Sequence, residues 1–336
     1  MKQTVATALV MLLLLFLMPM VFLRGQLPPA PTPTAAPTDT LLPPRAVAPP
    51  AAAKEDKATA VKVAMADGTV KQLTMEEYLW RVVAAEMPAS FEPEALKAQA
   101  VAARTYAAAK MAGTVANHPD ADLCTDITCC QAYLEPAAAA ANWGDHAMGY
   151  TDKIRAAVAD TDGLVALYNG APIQAVFFSS AAGQTVDAAE VWGNAVPYLT
   201  GVPSPEGEEV PGYHSNITMS AEGFRSIVLA AVPEARLEGD PSGWITVLSA
   251  NSAGGVEQVQ VGGVTLPGTE LRTLLGLRSV HFTVETTADS LTFHVTGYGH
   301  GVGMSQYGAN ALAKQGKTCA EIMRHYYTGV KVGKWN

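Results

Sequence analysis

The 336-residue sequence has little of several residue types on which common classes of protein depend. It carries 22 lysines and arginines against 31 aspartates and glutamates, and the net charge of −9 gives no electrostatic basis for nucleic-acid binding. Its four cysteines are too few and too clustered for a disulfide-stapled scaffold. No internal repeat is visible. Hydrophobic residues make up 49%, which is enough for a core, and the length allows one large domain or two modest ones.

The N-terminal segment, residues 1–24, contains no charge from Thr4 to Leu23. A run of this length is enough for one helix across a bilayer, and Lys2 places the remainder outside the cytoplasm by the positive-inside tendency. A cleaved signal peptide is the alternative, but the run is long for a signal and no small-residue cleavage site follows it directly. We predict a single-pass anchor in the cell membrane with an extracytoplasmic catalytic domain. Residues 25–58, rich in Pro and Ala, predict an extended linker.

The remaining residues, 59–336, form the predicted catalytic domain. Its first part alternates around Asp67-Gly68 and predicts a β-hairpin, and Thr74 with Glu77 predicts a capping box at the start of a helix. Strand and helix patterns occur in separate groups, so we predict an α+β fold with a helical active-site segment packed on antiparallel strands. Further elements are predicted as helices from Pro93 to about Met111, over 305–315 and over 320–327, and as strands within 160–180, 243–264 and 279–296.

Glu86 is the candidate catalytic residue. It follows Leu79, Val82 and Val83 at i+7, i+4 and i+3, so it lies on the apolar stripe of the helix, and Pro88 ends that helix just beyond it. Burial and the negative field of a helix C-terminus both disfavour a carboxylate, and we expect a raised pKa for Glu86. A protonated acid at neutral pH is what cleavage of a glycosidic bond needs.

The alternative for Glu86 is a structural ion pair, since such networks also perturb pKa values. Arg81, Lys97 and Arg104 are the basic residues that would form it.

A cluster of metal-ligating residue types lies between residues 117 and 133. His118, Cys124, Cys129 and Cys130 match the ligand set of a tetrahedral zinc site, although their spacing is not that of a standard finger. A disulfide and free buried thiols remain alternatives in an exported protein, and a disulfide would leave one of the three cysteines unpaired. Cys319 stands alone and is expected to be a small core residue.

Two later loops carry polar residues and glycine. Phe177–Thr185 (FFSSAAGQT), with Trp192 soon after, suits sugar binding, although a plain polar turn is the simpler interpretation. Gly297–Ala309 (GYGHGVGMSQYGA) has glycines that fit neither a dinucleotide loop nor a P-loop. Its alternating glycines predict close approach of the backbone to a ligand. His300 within it is a candidate for catalysis, for zinc or for structural hydrogen bonding.

Four separated segments closely resemble the stage II sporulation protein D / amidase-enhancer family, within a likeness that spans about residues 60–332. They are EMPASF with EALKAQAVAARTY (86–91 and 94–106), CTD…CQAY (124–133), FFSSAAGQT (177–185) and GHGVGMSQYGA (299–309). The resemblance implies zinc in the His/Cys loop, with Cys129 where relatives often carry His. Ala181 and Ala182 depart from the usual Ser or Gly. The substrate-binding residues that it implies are Lys97, Arg104, Tyr106, Ser179, Ser180, His300, Ser305, Gln306 and Tyr307.

The resemblance implies a lytic transglycosylase that cuts the MurNAc–GlcNAc β-1,4 bond of peptidoglycan, preferably in peptide-stripped strands, during endospore formation and engulfment. Glu86 would protonate the leaving oxygen and then deprotonate the C6 hydroxyl of MurNAc, which attacks C1 to give a 1,6-anhydro end. One carboxylate is enough for this, unlike the pair in ordinary glycosidases. Zinc would be structural, and the chemistry itself would need no cofactor. A cell-wall amidase/endopeptidase of the engulfment machinery is the implied partner.

Two other functions remain open at this point. One is a non-catalytic peptidoglycan-binding module that enhances an amidase. The other is a zinc peptidase or amidase that uses His300 and the His118 cluster, although four filled ligand positions are typical of structural zinc.

Overall fold

The computed structural model describes residues 55–113 and 117–335. The predicted transmembrane helix and nearly all of the predicted linker lie outside these residues. Among the residues that are described, none of the helices has the length and apolar character needed to cross a membrane.

A β-hairpin and a capped helix open the described chain, as the sequence predicts. β1 (Ala60–Ala64) pairs antiparallel with β2 (Val70–Thr74), and Gly68 takes a positive φ of 83° in the turn between them. Thr74 then caps α1 (Met75–Glu86) through the predicted capping box with Glu77. The hairpin therefore determines where α1 begins, and α1 carries Glu86 at its end.

α2 (Pro93–Met111) lies at the centre of the first hydrophobic core and is mostly buried. Its many alanines allow its neighbours to approach closely, and it contacts α1, three further helices and three short strands. The three further helices are α4 (Ala147–Asp160), α8 (Gln306–Lys314) and α9 (Cys319–Tyr326). Another helix, α3 (Pro136–Trp143), packs on α4, and a 3₁₀ turn at Gly144–His146 joins α3 to α4.

Short strands border this core. β4 (Leu164–Tyr168) turns through Asn169 and Gly170, both at positive φ, into β5 (Ala171–Pro172), so both strands lie within the stretch 160–180 where strands are predicted. β3 (Leu123–Cys124) is parallel to β1, and β6 (Phe177–Phe178) is parallel to β13 (Met304–Ser305), while β14 (Lys331–Lys334) is antiparallel to β4. The short helix α5 (Ala188–Trp192) follows β6 in the chain.

A second hydrophobic core is built from the residues between β6 and β13 and is separate from the first. It holds two three-stranded antiparallel sheets and two helices around Phe224, Trp244 and Phe293. The glycine-rich loop that follows its last strand returns the chain to the first core. The elements are β7 (His214–Ser220), α6 (Ala221–Ala231), a 3₁₀ turn at Pro241–Gly243, β8 (Ile245–Ala250), β9 (Val256–Val261), β10 (Val264–Pro267), α7 (Gly268–Leu275), β11 (Phe282–Thr286) and β12 (Ser290–Thr296).

The predicted fold class is wrong as a whole and needs correction to a mixed α/β structure. The central helix packs mainly on other helices rather than on one antiparallel sheet, and two of the strand pairs are parallel. The predicted membrane helix has no counterpart in the part of the chain that is described. Local patterns indicated most elements, but pairing between distant segments is not encoded in those patterns.

Candidate active site

Glu86 is the last residue of α1 and is largely buried. Its neighbours on the apolar stripe, Leu79 and Val83, are fully buried, which holds this side of the helix against the core. One carboxylate oxygen, Oε1, accepts a hydrogen bond of 2.8 Å from the backbone N–H of Ala132. The other, Oε2, accepts one of 3.3 Å from the side-chain amide of Gln306. Three segments that are distant in the sequence thus meet at this carboxyl group.

Burial is the main influence on this group and raises the pKa of Glu86 above its usual value, while the hydrogen bonds from Ala132 and Gln306 oppose the shift. The protonated form is therefore retained to higher pH than in an exposed glutamate. No second carboxylate contributes to this pKa shift among the described residues. The carboxyl group thus has the properties of a proton donor that works alone.

Other acids near Glu86 in the sequence have local roles. Asp67 lies in the turn between β1 and β2, and Glu77 completes the capping box of α1. Glu94 accepts hydrogen bonds from Lys97 Nζ at 3.0 Å and from the backbone N–H of Cys319 at 2.6 Å. Each of these carboxylates is thus held by its own partners.

Gln306 is the first residue of α8 and is buried. Ser305 caps this helix by accepting a hydrogen bond from the backbone N–H of Gly308. The backbone N–H of Tyr307, the residue before Gly308, donates to the carbonyl of Ser179 at 3.0 Å. The end of β6 and the start of α8 are therefore fixed together beside Glu86.

A cleft of about 360 Å³ opens next to this junction. Pro88 and Phe91, which follow Glu86, form one side, and Tyr307 forms another with its ring 4.9 Å from that of Phe91. Glu86 itself is not one of the lining residues. The cleft is therefore adjacent to the carboxyl group rather than centred on it.

Glu206 is a buried carboxylate that sequence patterns do not single out, because it lies in an acidic stretch (PEGEEV) typical of a solvated loop. It accepts hydrogen bonds from the backbone N–H of Ala181, from the hydroxyl of Ser204 and from the hydroxyl of Ser305. A side chain at Gly308 would collide with this network, because its Cβ would overlap the hydroxyl groups of Tyr326 and Ser204. Glu206 thus braces the residue that caps α8.

Lys97 and Arg104 have their charged groups committed to other acids. Lys97 Nζ lies 3.0 Å from carboxylate oxygens of both Glu94 and Asp160. The side chain of Arg104 is fully buried and pairs with Asp56 through Nη2 and Oδ2 at 2.5 Å. Arg81 pairs with Glu135, so none of the three bases considered as an ion-pair partner of Glu86 pairs with it in the described structure.

The ligand atoms of His118, Cys124, Cys129 and Cys130 lie within 4.8 Å of one another, so the predicted residues are brought together and are able to hold a metal ion. None of the four cysteines of the chain is in a disulfide. His118 Nδ1 lies 2.9 Å from the carbonyl oxygen of Ala121, which leaves Nε2 to face the thiols. Three thiols and one imidazole at this separation fit zinc, and they fill all four positions of a tetrahedral site.

The loop that carries this cluster also reaches the candidate acid. The hydroxyl of Tyr106 donates to the carbonyl of Cys129 at 3.0 Å, and the hydroxyl of Tyr78 donates to the side chain of Gln131 at 3.1 Å. The next residue, Ala132, supplies the N–H that binds Glu86. Tyr106, predicted to bind substrate, therefore contacts the cysteine loop.

His300 makes structural hydrogen bonds with both ring nitrogens. Nδ1 accepts from the backbone N–H of Val302 at 3.1 Å, and Nε2 lies 3.1 Å from the carbonyl of Phe177, to which it donates. Burial, with a further contribution from the charge of Arg272, lowers the pKa of His300 to about 4. The imidazole is thus neutral at physiological pH and lies apart from the His118 cluster.

The other predicted binding residues differ in accessibility. Ser180 and Ser305 are buried, and Ser180 pairs with the backbone of Tyr298. Tyr307 is partly exposed at the cleft, and Ser179 touches it through the backbone. Of the nine predicted binding residues, Gln306 is the one whose side chain contacts Glu86 in the described structure.

Comparison with known proteins gives a consistent picture. A family model described as Stage II sporulation protein (SpoIID) matches residues 66–168. The chain is 38% identical over 283 residues to Stage II sporulation protein D of Bacillus subtilis (strain 168), which covers 83% of this chain and 80% of that protein. It is 37% identical over 283 residues to the protein of the same name from Bacillus amyloliquefaciens, with 84% and 80% covered. It is also 29% identical over 296 residues to the Amidase enhancer of B. subtilis (strain 168), with 74% of this chain and 39% of that protein covered.

Proposed function

Because this chain belongs to the Stage II sporulation protein family, we propose that it acts on the cell wall during sporulation as a peptidoglycan lytic transglycosylase. It cleaves the MurNAc–GlcNAc β-1,4 bond and leaves 1,6-anhydro-MurNAc ends. Glu86 performs both proton transfers. A cell-wall amidase/endopeptidase that removes stem peptides supplies the substrate and is the functional partner. The observation that carries the proposal is a buried carboxyl group with a raised pKa and no second carboxylate acting on it.

In the first step Glu86 donates its proton to the oxygen that leaves C1 of MurNAc. The backbone N–H of Ala132 and the amide of Gln306 then stabilise the carboxylate that forms, since each already donates to one of its oxygens. In the second step the carboxylate removes the proton from the C6 hydroxyl, whose oxygen bonds to C1. Protons and bonds balance without water, and the carboxyl group returns to its starting state.

The four clustered residues His118, Cys124, Cys129 and Cys130 are proposed to hold one structural zinc ion. Bound zinc supplies a cross-link between β3 and the loop that precedes Ala132. No proton transfer passes through this site. The loop's role in the reaction is to hold the backbone N–H of Ala132 in its hydrogen bond to the Glu86 carboxyl group.

The proposal is tested with the full chain, peptide-free glycan strands and water enriched in oxygen-18. Transglycosylation predicts anhydro ends without the heavy label, whereas a hydrolase would place the label at C1. Glu86→Gln keeps the shape of the side chain but cannot exchange the proton, and we expect cleavage to fall by at least about 10²-fold. Glu76→Gln on the same helix is the matched control and should cleave normally.

Label at C1 would contradict the transglycosylase reaction, and full activity of Glu86→Gln would contradict the role of Glu86. A second candidate, suggested by the similarity to the Amidase enhancer, is a module that binds glycan and stimulates an amidase. It predicts tight glycan binding, no new ends, and the same stimulation of an amidase by Glu86→Gln as by the unaltered chain.

A further inference from the structure

Two aromatic side chains stand exposed on the surface formed by the segments around His300. Trp192, the last residue of α5, and Tyr298, in the glycine-rich loop, are each 45% exposed. Among the residues that the structure describes, they are the only aromatic members of the set of exposed large hydrophobic side chains. The Trp192 ring lies 5.5 Å from that of His300, two residues beyond Tyr298. Exposed aromatic rings without a protein partner on their outer side are typical of ligand-binding surfaces.

Two arginines accompany these rings. The guanidinium of Arg278 lies 4.4 Å from the centre of the Tyr298 ring and donates to the carbonyl of Gly212. Arg272 donates through Nε to the carbonyl of Leu277, the residue before Arg278, and its charge contributes to the lowered pKa of His300. Both arginines are partly buried.

Neither arginine forms an ion pair with a carboxylate of the described residues. Arg81, Arg104 and Arg155 do form such pairs, with Glu135, Asp56 and Asp152. A partly desolvated guanidinium without a carboxylate is unusual in a chain whose net charge is −9. Its planar donor fork matches a carboxylate from a ligand.

This surface is connected to the candidate active site by two steps of backbone pairing. Tyr298 and Ser180 exchange both of their backbone hydrogen bonds, at 2.8 and 3.0 Å. Ser179 accepts from the backbone N–H of Tyr307, which follows the Gln306 that contacts Glu86. Adjacent paired segments are about 5 Å apart, so the backbone of Tyr298 is roughly 10 Å from that of Tyr307. A short oligosaccharide spans that separation.

Resting on the proposed function, we infer that Trp192, Tyr298, Arg272 and Arg278 form a subsite for an acidic sugar of the glycan strand. The aromatic faces receive the sugar ring, and the guanidinium groups bind the carboxylate of the lactyl ether on MurNAc. That carboxylate is free only where no stem peptide is attached, because the peptide converts it into an amide. The subsite thus distinguishes peptide-free strands by charge.

The test measures binding of glycan oligosaccharides to the full chain carrying Glu86→Gln, so that cleavage does not consume the probe. One probe has free lactyl carboxylates, and the other has the same carboxylates converted to methylamides. We expect the amide probe to bind about 10-fold or more weakly, as is usual for loss of a charge-assisted hydrogen bond. The double variant Arg272→Gln/Arg278→Gln should lose that preference while its affinity for the amide probe stays the same. Arg225→Gln, an exposed arginine on α6, is the matched control.

Equal affinity of the unaltered subsite for both probes would overturn the inference, as would a double variant that loses affinity for both probes equally. Arg272→Gln alone leaves the contact between Arg278 and Gly212 in place, so it tests the same preference without disturbing that loop. Trp192→Ala should weaken the binding of both probes equally, because the indole ring contacts the sugar ring and not the carboxylate or its amide. If the unaltered chain makes no anhydro ends but still prefers the free carboxylate, the proposed reaction fails and the subsite stands.

Discussion

Asp56→Asn is predicted to destabilise the protein by removing the partner of a buried cation. The side chains of Arg104 and Asp56 are 0% and 5% exposed. Arg104 Nε lies 2.8 Å from Asp56 Oδ1, and Nη2 lies 2.5 Å from Oδ2, so the carboxylate binds two nitrogens of the guanidinium fork. The pair joins the segment before β1 to α2. Breaking such a pair from one side leaves an uncompensated buried charge and costs about 3–5 kcal/mol.

The expected fall in Tm is roughly 6–20 °C, since 1 kcal/mol shifts Tm by about 2–4 °C in domains of 150–250 residues. Thermal unfolding of the full chain, followed by circular dichroism, measures it. The matched control is Asp152→Asn, which breaks an exposed pair with Arg155 and should change stability by less than about 1 kcal/mol. If Asp56→Asn unfolds like this control but loses glycan affinity, then Arg104 binds substrate and its structural role is wrong.

Two further predictions concern pH and metal. Glycan cleavage should decrease as pH rises through the raised pKa of Glu86, because the proton donor is then lost. Gln306→Leu should move this decrease to higher pH, because the hydrogen bond from Gln306 lowers the pKa of Glu86. A pH profile that Gln306→Leu leaves unchanged would contradict the assignment of Glu86 as the proton donor. Because the pKa of Glu86 is raised in the folded state, this group stabilises the fold at low pH, and that contribution is lost as pH rises through the raised pKa. Glu86→Gln should therefore have a Tm at pH 7 equal to or higher than that of the unaltered chain. Metal analysis of reduced protein should find about one zinc per chain. A chelator should lower Tm, because the ion binds only the folded arrangement of His118 and the three cysteines. A metal-free protein with the same Tm before and after chelation would exclude structural zinc.

The local part of the site follows from short-range sequence patterns. The capping box at Thr74, the apolar spacing that buries one side of α1, and Pro88 after the helix place Glu86 at a buried helix end. The His/Cys cluster can also be recognised in the sequence, because its four members lie within 13 residues of one another. Such features depend on hydrogen bonds and side-chain contacts within a few turns of chain, which residue spacing encodes directly.

Tertiary structure decided which distant partner each group meets. The position of Arg104 in the pattern of α2 is the same whether its side chain binds a ligand or Asp56, which lies 48 residues earlier. Only the packing of the folded chain revealed the buried pair of Arg104 and Asp56. Gln306 reaches Glu86 across 220 residues, and Glu206 turns inward from an acidic loop to bind Ser305. The sequence by itself therefore determined which residue is the candidate acid and which four residues form the candidate metal site. The folding of two separate cores decided the surroundings of that acid, since contacts between remote segments depend on how whole elements pack, which no local pattern specifies.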